Sequence, residues 1–300
     1  MNLNNDITKN DNSSERDSNI GLKNVSYDKP LLSDKVIKFD IPKYEELFQP
    51  TMPSHPFYQH HDKPFCKEKY LYSTIPLHIG EFKIKFIDSD IINVLRCPIK
   101  ISGNRTIYLP DKLLFLKDFI EYCCVYENCF NKRFDELFAH ITVDYKIIKA
   151  GDTQRVPGWH VDGFQGAKFP IKHEIEHSYL WASKGGTEFC VQPFFISHID
   201  DSKYLIFDEM NKQANGPIFK CLDSNVYIID PYMVHRSPLM LSNTPRLLVR
   251  LTFEYQKLLD PNDTQNPSLK FDIPYKYDIR NRLCKYNIPL NKEMYGFVNN

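Results

Sequence analysis

Three side chains have the types and the spacing of a metal site. His160 and Asp162 lie two residues apart, so on an extended strand both side chains point to the same face. His235 follows later in the chain, shortly after the apolar run at 226–229. Two imidazoles and one carboxylate leave the opposite coordination positions of a metal open, which is the ligand set of non-heme Fe(II) oxygenases. We therefore expect His160, Asp162 and His235 to bind Fe(II) as a catalytic centre.

Two arginines follow the second histidine along one predicted strand. Arg246 and Arg250 are four positions apart, so they share a strand face with each other and with Thr252. An inward-facing arginine beside apolar residues is expensive to bury without a partner. The pair therefore favours an anion bound close to the predicted metal.

The second half of the chain has the pattern of many short strands. Ile141, Val143, Tyr145 and Ile147 alternate with polar residues, which is typical of a strand that buries one face. On this pattern Tyr145 is either a core residue or a pocket residue. Further strands are predicted at 159–162, 177–182, 188–196, 203–207, 226–229 and 246–255, separated by turn sequences. Short strands at this spacing predict a sandwich or barrel, and the spread of the metal ligands favours a jelly roll.

The predicted fold is mostly β with some α: a double-stranded β-helix (a cupin-like jelly roll) with flanking helices. The jelly-roll core is expected at 136–258, and 259–300 is expected to pack on it as a C-terminal extension. Residues 31–135 are predicted to form a wrapping or lid region with a helix from about Pro110 to Tyr126 and a short second helix near 134–138. The polar stretch 1–30 is predicted to be disordered.

Composition limits the classes of function. Lys and Arg together number 38, as do Asp and Glu, so bulk charge gives no argument for a nucleic-acid or membrane partner. The sequence has no apolar run of transmembrane length, and its polar start lacks the apolar segment of a signal peptide. The eight cysteines form no CxxC pair and fit reduced thiols. We expect a cytoplasmic protein with a small-molecule substrate.

Over about residues 140–256 the chain resembles the Fe(II)/2-oxoglutarate-dependent dioxygenase superfamily. Position by position, His160, Asp162 and His235 match its iron triad. In the taurine dioxygenase and phytanoyl-CoA hydroxylase branches, an arginine about eleven residues after the distal histidine holds the far carboxylate of 2-oxoglutarate. Arg246 lies at that distance (246 − 235 = 11). The interval between Asp162 and His235 is much shorter than in taurine dioxygenase, which leaves the substrate open.

The resemblance implies roles for two more residues. Taurine dioxygenase-like enzymes have a second arginine at the position of Arg250, and in an alternative register Arg250 with Thr252 is the main arginine for the co-substrate. The turn at 185–187 is similar to the family's Gly-Gly turn, whose threonine, here Thr187, can touch the same carboxylate. The implied cofactors are Fe(II) and 2-oxoglutarate.

The implied activity is hydroxylation or another oxidation of an organic substrate, with release of succinate and CO2. Two alternatives stay open. One is a cupin-like metal-binding module without oxygenase activity, and the other is an oxygenase that acts on a nucleic-acid base or a protein side chain. Neither the substrate nor the oligomeric state follows from the sequence.

A competing motif occurs at 173–177, which satisfies the HExxH pattern of zinc proteases. That pattern needs a helix, whereas the alternation along 175–181 favours a strand. On a strand His173 and His177 would lie about 13 Å apart, too far for one metal. A zinc site is therefore disfavoured. A further histidine cluster fits no common metal spacing: His55, His60 and His61.

Overall fold

The structure is a computed structural model. It describes residues 35–42, 65–72, 74–86, 93–131, 133–155, 157–162, 177–200, 204–255 and 263–269. The predicted tail at 1–30, the cluster of His55, His60 and His61, most of the predicted extension at 259–300, and His173 lie outside the described residues.

The described residues contain eleven strands. They are β1 (Val36–Asp40), β2 (Leu77–Glu81), β3 (Val94–Lys100), β4 (Thr106–Pro110), β5 (Phe138–Ile148), β6 (His177–Ala182), β7 (Glu188–Cys190), β8 (Ile218–Lys220), β9 (Asn225–Ile229), β10 (His235–Arg236) and β11 (Thr244–Glu254).

The described part of the chain also contains two α-helices, α1 (Lys117–Phe130) and α2 (Ile206–Gln213), and short 3-10 turns at Lys67–Leu71, Asp111–Leu116 and Phe134–Glu136. The predicted helix after Pro110 is therefore confirmed, with a 3-10 turn before the α-helix begins. The short helix expected near 134–138 is the last of the 3-10 turns.

Two antiparallel sheets hold the chain between β5 and β11. The large sheet has the order β2-β9-β6-β11-β5-β3, and the small sheet has the order β10-β7-β8. An isolated antiparallel bridge between His160 and His235 adds the segment around His160 to the outer edge of β10.

Consecutive segments alternate between the two sheets, except that β7 and β8 both lie in the small sheet. The chain runs through β5 in the large sheet, His160 in the small sheet and β6 in the large sheet. It continues through β7 and β8 (small), β9 (large), β10 (small) and β11 (large). This alternation is the winding of a jelly roll. The predicted fold class, a mostly β double-stranded β-helix with flanking helices, is confirmed.

The two faces of the large sheet differ because side chains alternate along each strand. On β11, the face with Leu247, Val249, Leu251 and Phe253 joins the main apolar core, together with α1. Tyr145 packs against this core, so it is a core residue rather than a pocket residue. The opposite face of the same sheet is polar and turns toward the small sheet, and its members include Thr142, Asp144, Ser178, Arg246, Arg250 and Thr252.

A buried carboxylate ties α1 to the large sheet. Glu127 is fully buried and accepts hydrogen bonds from the Tyr179 hydroxyl at 3.0 Å and from Asn131 Nδ2 at 2.9 Å. The Nδ1 atom of His177 lies 3.6 Å from the same carboxylate. These bonds compensate for burying the charge and fix the helix against β6.

The strand predicted at 203–207 is wrong, because α2 begins at Ile206. Ile206 and Met210 lie one helical turn apart and are both buried in a second, smaller core with Trp159. The run at 204–207 is apolar throughout, and periodicity cannot distinguish a short apolar strand from the start of a buried helix.

Two other predicted strands are shorter than expected. The strand at 188–196 ends at Cys190, and Pro193 beyond it has no N–H to donate to a sheet. The strand at 159–162 is reduced to the single bridge at His160. The strands predicted at 177–182, 226–229 and 246–255 are confirmed within two residues. No helix in the described part of the chain is long and apolar enough to cross a membrane.

Replacing Phe253 by alanine should lower the free energy of unfolding by about 3–5 kcal/mol, because the ring is fully buried at the centre of the main core. It makes ring contacts with Phe134 and Tyr179. Urea unfolding followed by circular dichroism measures the change. The control is Leu241→Ala, whose side chain is 93% exposed and should cost under about 0.5 kcal/mol. Equal losses in the two variants would contradict this placement of β11.

Candidate metal centre

His160 and His235 are direct neighbours across the edge of the small sheet. The backbone N–H of His160 donates to the His235 carbonyl at 2.9 Å, and the N–H of His235 donates to the His160 carbonyl at 2.8 Å. Residues that exchange both hydrogen bonds lie opposite each other in an antiparallel pair, with side chains on the same side. The ring centroids are 4.6 Å apart. This pairing brings together two histidines that are 75 positions apart (235 − 160 = 75).

Both imidazoles are oriented by a carbonyl two residues earlier. His160 Nδ1 lies 2.9 Å from the Gly158 carbonyl, and His235 Nδ1 lies 2.9 Å from the Met233 carbonyl. A carbonyl only accepts, so Nδ1 carries the proton in each neutral ring and Nε2 keeps its lone pair. Burial and the neighbouring His235 lower the pKa of His160 to about 4, so His160 is neutral at pH 7. Both Nε2 atoms are therefore suited to bind a metal.

Asp162 completes the set as a carboxylate. Its Oδ2 lies 3.5 Å from His235 Nε2 and contacts the guanidinium of Arg250. Burial would raise the pKa of Asp162, but the charge of Arg250 and the contact with His235 outweigh it and hold the pKa well below its usual range. Donor atoms of His160, Asp162 and His235 all lie within 4.8 Å of one another. Two imidazoles and one ionised carboxylate fit a divalent first-row transition metal.

A turn before β10 fixes the position of His235. Asp230 is buried, and its Oδ1 accepts the backbone N–H of Tyr232 at 2.8 Å. Its carbonyl accepts the N–H of Met233 at 3.3 Å, and the hydroxyl of Tyr70 donates to the Pro231 carbonyl at 2.6 Å. The turn thereby sets both the backbone of His235 and the Met233 carbonyl that orients its ring.

Asn211 on α2 fixes the backbone beside the other histidine. Its Oδ1 accepts the N–H of Trp159 at 2.8 Å, and its Nδ2 donates to the Trp159 carbonyl at 3.0 Å. The side-chain amide thus pairs with the residue before His160 as a neighbouring strand would. The Phe207 ring, one turn earlier on α2, lies 5.7 Å from the His160 ring. The sequence interpretation missed both residues, because it placed a strand where α2 begins.

Arg246 is buried on the polar face of the large sheet, with a relative exposure of 1%. Its Nε donates to the carbonyls of Lys184 at 2.7 Å and Gly185 at 3.1 Å, and its guanidinium contacts Gln154 Oε1. Burial lowers the pKa of Arg246 to about 10, so it stays protonated at pH 7. The acceptors of these hydrogen bonds are neutral, and a buried cation with neutral acceptors is a good receptor for an anion.

Gln154 was also missed by the sequence interpretation. Besides accepting from Arg246, its Nε2 donates to the Asp144 carbonyl at 2.6 Å and to the Arg246 carbonyl at 3.4 Å. It therefore holds the guanidinium against β5. No motif surrounds Gln154 in the sequence. Its contacts with Asp144 and Arg246 depend on the pairing of β5 with β11.

The turn at 185–187 requires glycine at position 186, because the backbone of Cys221 approaches it closely. A Cβ atom on Gly186 would lie 1.8 Å from the Cys221 carbonyl oxygen. Thr187 follows it, is buried, and its carbonyl accepts the N–H of Cys221 at 2.9 Å. The Gly185 carbonyl reaches Arg246, but a contact between Thr187 and a co-substrate stays a prediction.

The two arginines of β11 have different surroundings. Arg250 contacts the Asp162 carboxylate, whereas Arg246 contacts carbonyls and the amide of Gln154. Their Cα atoms are about 13 Å apart at some 3.3 Å per residue along the strand. Arg250 therefore lies beside the candidate metal ligands, and Arg246 lies deeper along the same sheet face.

A buried hydroxyl lies close in sequence to His235. Ser237 is two residues further on, and an extended chain places it on the side of His235, opposite Arg236. Its Oγ is buried and makes no hydrogen bond within the described residues. A buried hydroxyl of this kind fits a site that receives a polar ligand.

The zinc-protease alternative fails at His177. This residue begins β6 rather than lying in a helix, and its side chain faces Glu127 on the apolar side of the large sheet. His177 and the candidate metal centre are thus on opposite faces of that sheet.

Replacing His235 by alanine should weaken Fe(II) binding at least about 100-fold, because one of three donors is lost. The fold should persist, since the His235 backbone still pairs with His160. Anaerobic equilibrium dialysis with metal analysis measures the affinity, and circular dichroism checks the fold. His78→Ala is the matched control, because His78 is exposed on β2 and bonds to Asn225 at 2.7 Å. Unchanged iron affinity in His235→Ala would refute the site.

Replacing Asn211 by alanine should weaken Fe(II) binding about 10-fold, because the His160 backbone loses its two-point support. Asn211→Asp keeps the acceptor for the Trp159 N–H and loses the donor, so it should fall between the wild type and Asn211→Ala. Asn215→Ala, an exposed asparagine just beyond α2, serves as the control. If Asn211→Ala and Asn215→Ala bind iron equally well, Asn211 has no positioning role.

Comparisons with known proteins give little further information. No family model matches the chain, and neither does any curated protein. EvdO2 from Micromonospora carbonacea var. aurantiaca complexed with 2-oxoglutarate is 15% identical with a TM-score of 0.34, over 52% of this chain and 66% of that chain. An oxidoreductase of the 2OG-Fe(II) oxygenase family from Burkholderia pseudomallei is 14% identical with a TM-score of 0.29, over 57% of this chain and 69% of that chain. Likenesses this weak carry no argument, so any assignment depends on the geometry of the site.

Proposed function

We propose that the protein is an Fe(II)- and 2-oxoglutarate-dependent dioxygenase that hydroxylates or otherwise oxidises a small organic molecule. His160, Asp162 and His235 would bind the iron, and Arg246 would bind the far carboxylate of 2-oxoglutarate. Bound iron and co-substrate would supply the oxygen chemistry, with release of succinate and CO2.

The observation that carries the proposal is the combination of the donor set with a buried cation on the same sheet face. Two imidazoles present Nε2 beside an ionised carboxylate. Farther along the sheet, Arg246 is buried with neutral hydrogen-bond acceptors. A dicarboxylate that binds the metal at one end would compensate the charge of Arg246 at the other.

The other residues have distinct roles in this proposal. Arg250 keeps Asp162 ionised and limits the directions in which its oxygens can point. Gln154 and the Lys184 and Gly185 carbonyls hold the Arg246 guanidinium in place. Ser237 and Thr187 are candidates for further hydrogen bonds to the co-substrate.

The buried arginine favours an oxygenase over a metal-binding module without activity. A module that only holds a metal needs the three ligands, but it has no use for a buried guanidinium along the same face, which is costly to desolvate. For a nucleic-acid substrate, the balance of 38 basic and 38 acidic residues gives no electrostatic support. We therefore favour a small molecule as the substrate.

The test is anaerobic titration of the metal-free protein with Fe(II) and then 2-oxoglutarate, followed by the visible charge-transfer band of a chelated 2-oxo acid. We expect the band in the wild type and its loss in His235→Ala. Arg246→Met should raise the Kd of 2-oxoglutarate about 10- to 100-fold, because a charge-assisted hydrogen bond contributes about 1.5–3 kcal/mol.

Two controls keep this test decisive. Arg133→Met, at a half-buried arginine that pairs with Glu136 away from the candidate site, should leave the Kd within about twofold. If Arg246→Met folds poorly, Arg246→Lys tests the same position, because lysine keeps the positive charge. Iron binding without any band would favour the metal-binding module. A large effect of Arg250→Met with none from Arg246→Lys or Arg246→Met would make Arg250 the main carboxylate-binding residue.

A further inference from the structure

A second group of charges lies on the polar face of the large sheet. Arg155 donates to Asp144 Oδ2 at 3.2 Å, and Lys146 Nζ lies 3.5 Å from the same oxygen. Lys146 Nζ also donates to the Gln154 carbonyl at 3.2 Å. One carboxylate therefore holds two cations, and we call Asp144, Lys146 and Arg155 the Arg155 cluster.

The strand register places this cluster between the two arginines of β11. Asp144 on β5 is opposite Leu248, while Lys146 is opposite Arg246 and Thr142 is opposite Arg250. Asp144 is thus level with the midpoint between Arg246 and Arg250, on the same face.

The site contains more positive charge than the proposed cofactors require. Arg155, Lys146, Arg246 and Arg250 contribute four positive charges. Asp144, Asp162 and Asp223, the last of which acts on Arg246, contribute three negative ones, which leaves one positive (4 − 3 = 1). A dication and a dianionic co-substrate cancel each other, so an excess of one positive charge persists when both are bound. Such an excess in a partly buried site attracts a further anion.

Exposure separates the cations into two groups. Arg246 is 1% exposed and suits a co-substrate that binds deep in the barrel. The side chains of Arg155 and Lys146 are 37% and 39% exposed, so both remain accessible to an anion from solvent. The structure thus offers one receptor for an anion inside the barrel and a second nearer its surface.

We propose that Arg155 and Lys146 bind an oxyanion group of the organic substrate, which is therefore a carboxylate, a sulfonate or a phosphate. Asp144 holds the two cations in place, and their attachment to the sheet beside the metal centre keeps the substrate near the reacting site. This inference rests on the proposed function, because it assigns the substrate of the same centre.

Inorganic phosphate is the probe for this site. Calorimetric titration of phosphate into the anaerobic protein loaded with Fe(II) and 2-oxoglutarate, at constant ionic strength with chloride as the reference anion, should show saturable binding. Arg155→Met should weaken it about 10-fold, since a hydrogen bond to a charged group is lost. Arg155→Lys should restore part of the affinity. In both variants the Kd of 2-oxoglutarate should stay within about twofold.

A matched control separates local binding from general charge. Lys149→Met removes one positive charge from the exposed turn after β5 and should leave phosphate binding unchanged. Lys146→Met offers a second variant if Arg155→Met fails to fold, and it should also weaken phosphate binding.

Three outcomes would overturn the inference. One is a wild type that binds phosphate no better than chloride, and another is an Arg155→Met variant that binds it as the wild type does. The third is a rise in the 2-oxoglutarate Kd of Arg155→Met as large as that of Arg246→Met, because the cluster would then bind the co-substrate. Absence of 2-oxoglutarate binding by the iron-loaded wild type is a different result, which refutes the proposed oxygenase. If that protein still binds phosphate through Arg155, the oxyanion site stands. The site can then no longer be assigned to the substrate of an oxygenase.

Discussion

The reciprocal backbone hydrogen bonds between His160 and His235 are the interaction on which the candidate site depends. They are the only pairing of the 157–162 segment with a sheet in the described part of the chain, and they set the separation of the two imidazoles. A single bridge is weak by itself, and other groups reinforce it. Asn211 pairs with the backbone of Trp159, and the turn at Asp230 fixes the approach to His235.

The second constraint is electrostatic. The large sheet buries an apolar face against α1 and a polar face within the barrel, and the polar face carries both arginines of β11. Burying a guanidinium is unfavourable unless hydrogen bonds and opposite charge offset the loss of water. Arg250 contacts the Asp162 carboxylate directly, whereas the hydrogen-bond acceptors of Arg246 are neutral carbonyls and an amide. This difference makes Arg246 the better receptor for an external anion.

The sequence predicted much of the fold because the period of two is strong in the central strands. The residues of β5 alternate visibly, and the apolar runs that became β6 and β9 have clear turn signals around them. The prediction failed where the apolar run was short and had no period, as at 204–207, where α2 begins. Missing α2 meant missing Asn211 and Phe207, because their roles depend on which residues the helix packs against.

The sequence by itself determined the donor set and the strand faces. The types of His160, Asp162 and His235, together with the alternation of side chains along an extended chain, follow from local geometry that does not depend on distant segments. The tertiary structure decided what local geometry cannot reach: the edge pairing of His160 with His235, the partner of each arginine, and the placing of Gln154 and Arg155 beside β5 and β11. These contacts join segments far apart in sequence, and their positions are set by strand register and packing, which spacing along the chain does not encode.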